Sequence, residues 1–240
     1  MKLTKEEIKF IDNYLIKNGV KFWDVRLELL DHIVSSVEDK ITIKGTSFNE
    51  ALLEVHKGFG NQFIEFGVPK NEIFGKGLFQ SNIGFKKFTR KKQKELGGKY
   101  RKITWKHLNT KLTSFKFLIE YIAFVLLFVS IYKFSPKSCF MVGLLTLILP
   151  NIYSIYYSIK DKSTRKSLSF AMATASAMLV WTMYNLSFYI LKEYYENVAN
   201  MPHIIFVVVT CLFYPLVRTN IEVYKEVYNE NKDMYKLKFL

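Results

Sequence analysis

Four histidines and two cysteines are the imidazole and thiol groups of this 240-residue chain, and their spacing decides what chemistry they can support. His32 and His56 are the pair to weigh, because Asp24, Glu28 and Asp31 lie close to His32 and imidazole with carboxylate is a zinc-binding combination. No His-x3-His repeat and no cysteine concentrates those ligands on one helix face, so both histidines read as helix-surface or helix-packing residues and no metal is expected. Gly58-Phe59-Gly60 and Gly97-Gly98 lack the strand, helix and following residues of a nucleotide-binding loop, and neither Gly-x-Ser-x-Gly nor His-Glu-x-x-His occurs. The chain offers no convincing nucleophile, base or cofactor cradle; the expectation is a protein that is not an enzyme and needs no cofactor.

The remaining chemistry lies in polar groups set among apolar ones. Glu120 falls near the start of the stretch FKFLIEYIAFVLLFVSIYKF, and desolvation makes such a carboxylate costly unless it is paired or used. Lys116 lies one helical turn earlier, at a spacing that permits an ion pair, so two readings stand: an interfacial pair, or a transport or proton-relay site. Asn185, with Thr182 and Ser187, reads as an interhelical hydrogen-bonding group or, together with Pro150-Asn151, as part of a polar cavity. Ser169, Ala173 and Ala177 recur every four residues, with Ala171 and Ala175 on the neighbouring row. Small side chains let helix backbones approach closely in lipid, which suits a contact within a bundle or a dimer seam.

The elements that would position these groups are helices. Four apolar stretches, about 115–133, 138–159, 167–191 and 203–219, are separated by short polar connectors, and about 20 residues suffice to cross a bilayer. Lys160, Lys162, Arg165 and Lys166 crowd one connector, and Arg218, Lys225, Lys232, Lys236 and Lys238 follow the last stretch. That alternation of basic residues predicts four spans with both termini cytoplasmic. Tyr153, Tyr156, Tyr157, Tyr189, Tyr194 and Tyr195 fall at span ends, where amphipathic rings suit the headgroup layer.

The charge balance of +14 is concentrated just before the first span. In KKFTRKKQKELGGKYRK, Lys86, Lys87, Arg90, Lys91, Lys92, Lys94, Lys99, Arg101 and Lys102 face only Glu95. Beside an anionic leaflet each such cation gains about 1 kcal/mol. The run therefore reads as a membrane-surface segment that either fixes topology or binds anionic lipid, and no groove-reading motif accompanies it to suggest nucleic acid. Cys139 and Cys211 lie in apolar runs and read as small buried hydrophobes. The opening MKLTKEEIKF has no apolar core or cleavage site of a secretion signal, so the first residues are expected in the mature chain.

Upstream of residue 85 the pattern is that of three short helices sharing one core. Thr4 with Glu7 and Ser47 with Glu50 are capping boxes, Asp24 is placed to cap the second helix, and Asn18-Gly19 and Gly45 supply stops. Ile8, Ile11, Tyr14 and Leu15, then Val25, Leu29, Ile33, Val37 and Ile41, then Ala51, Leu52, Val55 and Phe59, recur at helical spacing. The order Glu28, Leu29, Asp31, His32, then Glu38-Asp39, Gly45-x-Ser47, Glu50-Ala51-Leu52 and Phe59-Gly60 resembles the helical prefix modules of the permease-prefix and HAAS (DUF1700-like) families over roughly residues 5–62. The resemblance implies a cytoplasmic helical module on a bacterial integral membrane protein, in families associated with signalling or permease-like partners. The membrane region resembles no family.

These readings combine into an all-α chain: a cytoplasmic three-helix prefix module (1–85), a basic juxtamembrane linker (86–114), a four-helix transmembrane bundle (115–219) and a cytoplasmic amphipathic tail (220–240). Along that tail Ile221, Tyr224, Val227, Tyr228 and Tyr235 form an apolar stripe, with Glu222, Glu226 and Glu230 on another face. The expected location is the bacterial inner membrane, and the expected function is that of a regulatory or adaptor protein whose module binds a partner or senses membrane state. The expected partners are anionic membrane lipid and a protein partner or a second copy. A small transporter or channel subunit is the competing reading.

Overall fold

The computed structural model describes residues 2–61, 82–194 and 203–239, and every regular element among them is a helix. In chain order these are α1 (Lys5–Lys17), α2 (Trp23–Lys44), α3 (Phe48–Gly58), α4 (Ile83–Leu112), α5 (Phe115–Phe134), α6 (Pro136–Lys160), the single turn α7 (Lys162–Arg165), α8 (Leu168–Tyr194) and α9 (His203–Phe239). The chain divides into two compact units: Met1–Glu95 with Lys166–Leu168, and Leu96–Arg165 with Ser169–Leu240. The division falls inside α4. Tyr195, named above as a span-end ring, and residues 62–81 of the prefix region lie outside the described residues.

In the first unit both capping boxes form. The Thr4 hydroxyl accepts from the Glu7 amide while the Glu7 carboxylate accepts from the Thr4 amide, and Ser47 and Glu50 repeat the exchange at the start of α3. Each removes two amides that a helix start leaves without intrahelical partners. Gly45 closes α2 at φ 63°, a left-handed conformation that costs glycine nothing. Between these ends Ile11, Tyr14, Leu15, Leu29, Ile33, Val37, Ala51, Leu52 and Val55 are buried, as their 3.6-residue spacing requires. His56 is also buried, 1% exposed, with its Nδ1 against the Tyr14 hydroxyl and its ring edge-on to Phe85. Burial pushes the Tyr14 phenol far above its ordinary range.

The stretch read as a basic linker is helical: α4 runs unbroken from Ile83 to Leu112. Lys, Arg, Gln, Glu and Leu are strong helix formers, and their summed preference outweighs the adjacent pair Gly97-Gly98. Its start is fixed by Asn61, whose Oδ1 accepts from the Gly84 and Phe85 amides at 3.0 and 3.4 Å. Gly84 has to be a glycine, because a Cβ there would lie 1.9 Å from the Phe59 carbonyl oxygen.

In the second unit α9 packs along α6 and also meets α5. Leu147, Val180, Tyr184, Phe206, Val217 and Ile221 form one buried cluster, and Phe128, Cys139 and Val207 another. Gly143 of α6 allows the approach: a Cβ there would sit 2.7 Å from Thr210 Oγ1 on α9. Among the described residues three helices, Phe115–Phe134, Pro136–Lys160 and Ile204–Leu237 within α9, are long and apolar enough to cross a membrane. On α5 the residues Phe115, Ile119, Ile122, Leu126 and Val129 form an exposed apolar stripe. The stretches expected as 203–219 and 220–240 run as one helix, with Pro215 inside it.

The apolar face of that final stretch is covered. Val223, Val227 and Tyr228 are buried with Tyr100, Tyr157, Phe170 and Ala173, and Leu96 and Ile103 pack against the same cluster. The C-terminal helix thus lies on the second half of α4, and its acids reinforce the contact: Glu222 pairs with Lys111 at 2.6 Å and Glu226 meets His107 at 3.3 Å.

Candidate functional site

Three groupings of polar residues stand out, one in the first unit, one in the second and one along α4, the helix in which the division between the units falls. The first is a clasp around Asp24. Helix α2 begins at Trp23 with Phe22 as its cap, so Asp24 sits inside the first turn instead of capping it. Its carboxylate accepts from its neighbour Val25 at 3.0 Å, from the Ser167 hydroxyl at 3.1 Å and from the Leu168 amide at 3.0 Å. In return the Trp23 amide donates to the Lys166 carbonyl at 2.9 Å. Each partner thereby satisfies the leading amide of a helix, α2 on one side and α8 on the other, and a carboxylate among such amides is favoured by their partial positive charge. Ser167 and Leu168 are buried. The sequence marked Asp24 as a cap; nothing in it pointed 143 residues downstream.

The second grouping centres on Glu120. The Lys116–Glu120 pair allowed by spacing is not the one formed. Glu120 Oε1 takes a hydrogen bond from the Tyr214 hydroxyl at 2.8 Å and an ion pair from Arg218 Nε at 2.9 Å. Arg218 Nη1 also reaches Glu222 at 3.4 Å, and Glu222 in turn holds Lys111. The result is a chain Glu120–Arg218–Glu222–Lys111 of alternating sign. Rings of Phe117, Tyr121, Phe124 and Tyr214 stack beside it, Phe124 on Tyr214 at 3.8 Å between centroids. A cavity of about 340 Å³ opens alongside. Cross-helix partners satisfy this carboxylate at a cost in desolvation that a lone charge would not recover.

The third is the basic face of α4. Lys86, Lys87, Arg90, Lys91, Lys94, Lys99, Arg101 and Lys102 are exposed. Lys92 differs: it is half-buried and bound to Glu28 at 2.5 Å and to Glu95 at 3.2 Å. The hydrogen bond it donates to Glu28 raises its ammonium above the ordinary lysine value, against the opposing effect of burial. Lys92 therefore fastens α4 to α2, while its neighbours keep their charge toward solvent.

The helix-packing row on α8 divides. Ser169 is buried and donates to Asn231 Oδ1 at 3.1 Å, and Ala173 is buried in the cluster around Tyr100 and Val227. This is a contact within the chain. The side chain of Ala177 lies outside the described residues. Asn185 is exposed, and its amide donates to the carbonyl of Trp181 on its own helix at 2.8 Å.

Against this geometry, comparison with known proteins returns nothing: no family model, no curated protein and no solved structure matches the chain.

Proposed function

We propose that this chain is a non-enzymatic, membrane-anchored regulatory or adaptor protein of the bacterial inner membrane. Its N-terminal helical module reports on the membrane, or passes a partner's state to it, through the Asp24 clasp. In this reading the four apolar stretches span the bilayer, both termini are cytoplasmic, and the module is of the prefix kind that its sequence resembles. The exposed apolar stripe of α5 supports the membrane setting, because water-exposed stripes of that extent call for lipid or a partner. The clasp is the observation that carries the regulatory reading. Two helix starts far apart in sequence share their hydrogen bonds, so loosening one removes partners from the other. The cross-helix pairing of Glu120 weighs for an anchoring role and against a solute path, which favours this reading over a transporter or channel subunit.

The test is amide hydrogen exchange on the full chain in nanodiscs with and without anionic lipid. The Trp23 and Leu168 amides are expected to change protection together as the lipid changes. Asp24→Ala, at a cost of about 1 kcal/mol for a lost cap, should speed Leu168 exchange about fivefold and remove its lipid dependence. Protection at both amides that ignores lipid composition would sink the sensing role.

A further inference from the structure

A groove of about 510 Å³ lies in the second unit between the later part of α4 and helices α8 and α9. Its walls include Gly97, Tyr100, Thr104, Met172, Ala175 and Leu216, and Arg101 and Trp105 stand at its edge. That volume falls within the roughly 300–1,000 Å³ of ligand sites. The wall is mainly apolar, and there is open space where Gly97 and Ala175 carry little or no side chain; a Cβ on Gly97 would meet nothing within 4 Å.

Two polar features do not fit an empty packing defect. Thr104 is 5% exposed, yet its hydroxyl has no hydrogen-bond partner among the described residues, although a helical threonine usually turns back to the carbonyl four residues earlier. A buried hydroxyl left without a partner is costly, about 1–3 kcal/mol. Arg101, one turn before it, makes no ion pair among the described residues and is exposed. Trp105 is 58% exposed, an amphipathic ring of the type that sits at headgroup depth. An apolar trough with a hydroxyl in its wall and an unpaired guanidinium at its lip matches one chemistry: a fatty acyl chain ending in an anionic phosphate ester.

We infer that this groove holds a single anionic phospholipid, its acyl chain against Met172, Ala175 and Leu216 and its headgroup phosphate at Arg101 and Thr104. The site is distinct from the diffuse attraction of the basic face, because it sets one guanidinium beside an apolar trough. It deepens the membrane reading above and rests on it.

The experiment is native mass spectrometry of the detergent-purified full chain with added phosphatidylglycerol or phosphatidylcholine, comparing the native chain with Gly97→Leu, Gly98→Leu, Arg101→Gln and Thr104→Val. Gly97→Leu fills the groove. Gly98→Leu is the matched control, since its Cβ also meets nothing within 4 Å and the residue does not line the groove. Both changes favour helix, so neither is expected to unfold α4. The native chain and Gly98→Leu should retain one phosphatidylglycerol, at least about tenfold more tightly than phosphatidylcholine, and Gly97→Leu should lose it. Arg101→Gln and Thr104→Val should each weaken it about fivefold.

Equal retention by the two leucine variants, or equal affinity for both lipids, would overturn the assignment. So would a dimer that Gly97→Leu dissolves without any change in bound lipid, which would give the groove to a second copy. These outcomes are separable from failure of the membrane reading: that would be a chain that stays in aqueous solution without detergent, whereas loss of groove specificity in a detergent-dependent chain removes the lipid site alone.

Discussion

Glu120 shows how a residue's type and its partner are set by different information. Its presence in an apolar stretch marked it as a group that must be either paired or used, and that reading rests on desolvation alone. The partner is another matter: spacing within α5 offers Lys116, and the chain instead supplies Arg218, 98 positions later, with Tyr214 one turn before it. A partner brought by tertiary packing leaves no trace in local spacing. The two pairings make different predictions. In thermal unfolding of the detergent-solubilised chain, a double-mutant cycle on Glu120→Ala and Arg218→Ala should give a coupling of about 0.5–1 kcal/mol, the magnitude suited to a partly exposed pair. Lys116→Ala should leave stability within about 0.5 kcal/mol. Strict additivity at Glu120 and Arg218, or coupling between Glu120 and Lys116, would reverse the assignment. Asp24 carries the same lesson, since its carboxylate marks a helix start and only the fold shows that the start belongs partly to α8.

At the level of elements, most starts and stops were legible. Thr4 with Glu7, Ser47 with Glu50 and Gly45 act where their types say they should, because caps are local arrangements of backbone amides and nearby oxygens. The basic stretch was harder: like charges at close spacing suggest a solvated linker, whereas its residue types favour helix and Asn61 supplies the start from 23 residues before Gly84. Helix-on-helix approach was not legible at all. Gly143 stands in α6 without a turn or a repeat to announce it, and its reason is Thr210 on α9. Gly143→Ala should therefore destabilise by about 1–3 kcal/mol through overpacking. Adding Thr210→Ala, which removes the crowding hydroxyl, should recover most of that loss in the same unfolding measurement. Equal losses in the single and double variants would show that crowding at Thr210 is not the cause.

For the whole molecule, the all-helical class and the apolar texture of the C-terminal half follow from periodicity and composition, and among the described residues three helices have the length and character to cross a bilayer. What composition left open is which surfaces the two ends of the chain cover. The tail's apolar stripe is used: Val223, Tyr224, Val227 and Tyr228 are buried, with Tyr100 and Ile103 of α4 in the same cluster. Deleting residues 221–240 should expose that half of α4, since losing even one buried aromatic forfeits about 1.5–3 kcal/mol. Tryptic cleavage between residues 86 and 111 should then quicken about tenfold or more, as cleavage follows the population of opened chain. An unchanged cleavage rate would mean that α4 holds its place without the tail.

The unbroken run of α9 has a mechanical side. At about 1.5 Å per residue its 37 residues reach roughly 55 Å, while the oily layer of a bilayer is only about 30 Å deep. Were its apolar part to cross such a layer, some 25 Å of the same rod would stand outside it, by the same estimate. Bilayers that thin or thicken rotate their embedded helices, and a 10° rotation swings the free end of such a rod by about 4 Å. The residues that meet α4 lie toward that end, so in the proposed membrane setting a change felt by the lipid tails would reach α4 as displacement.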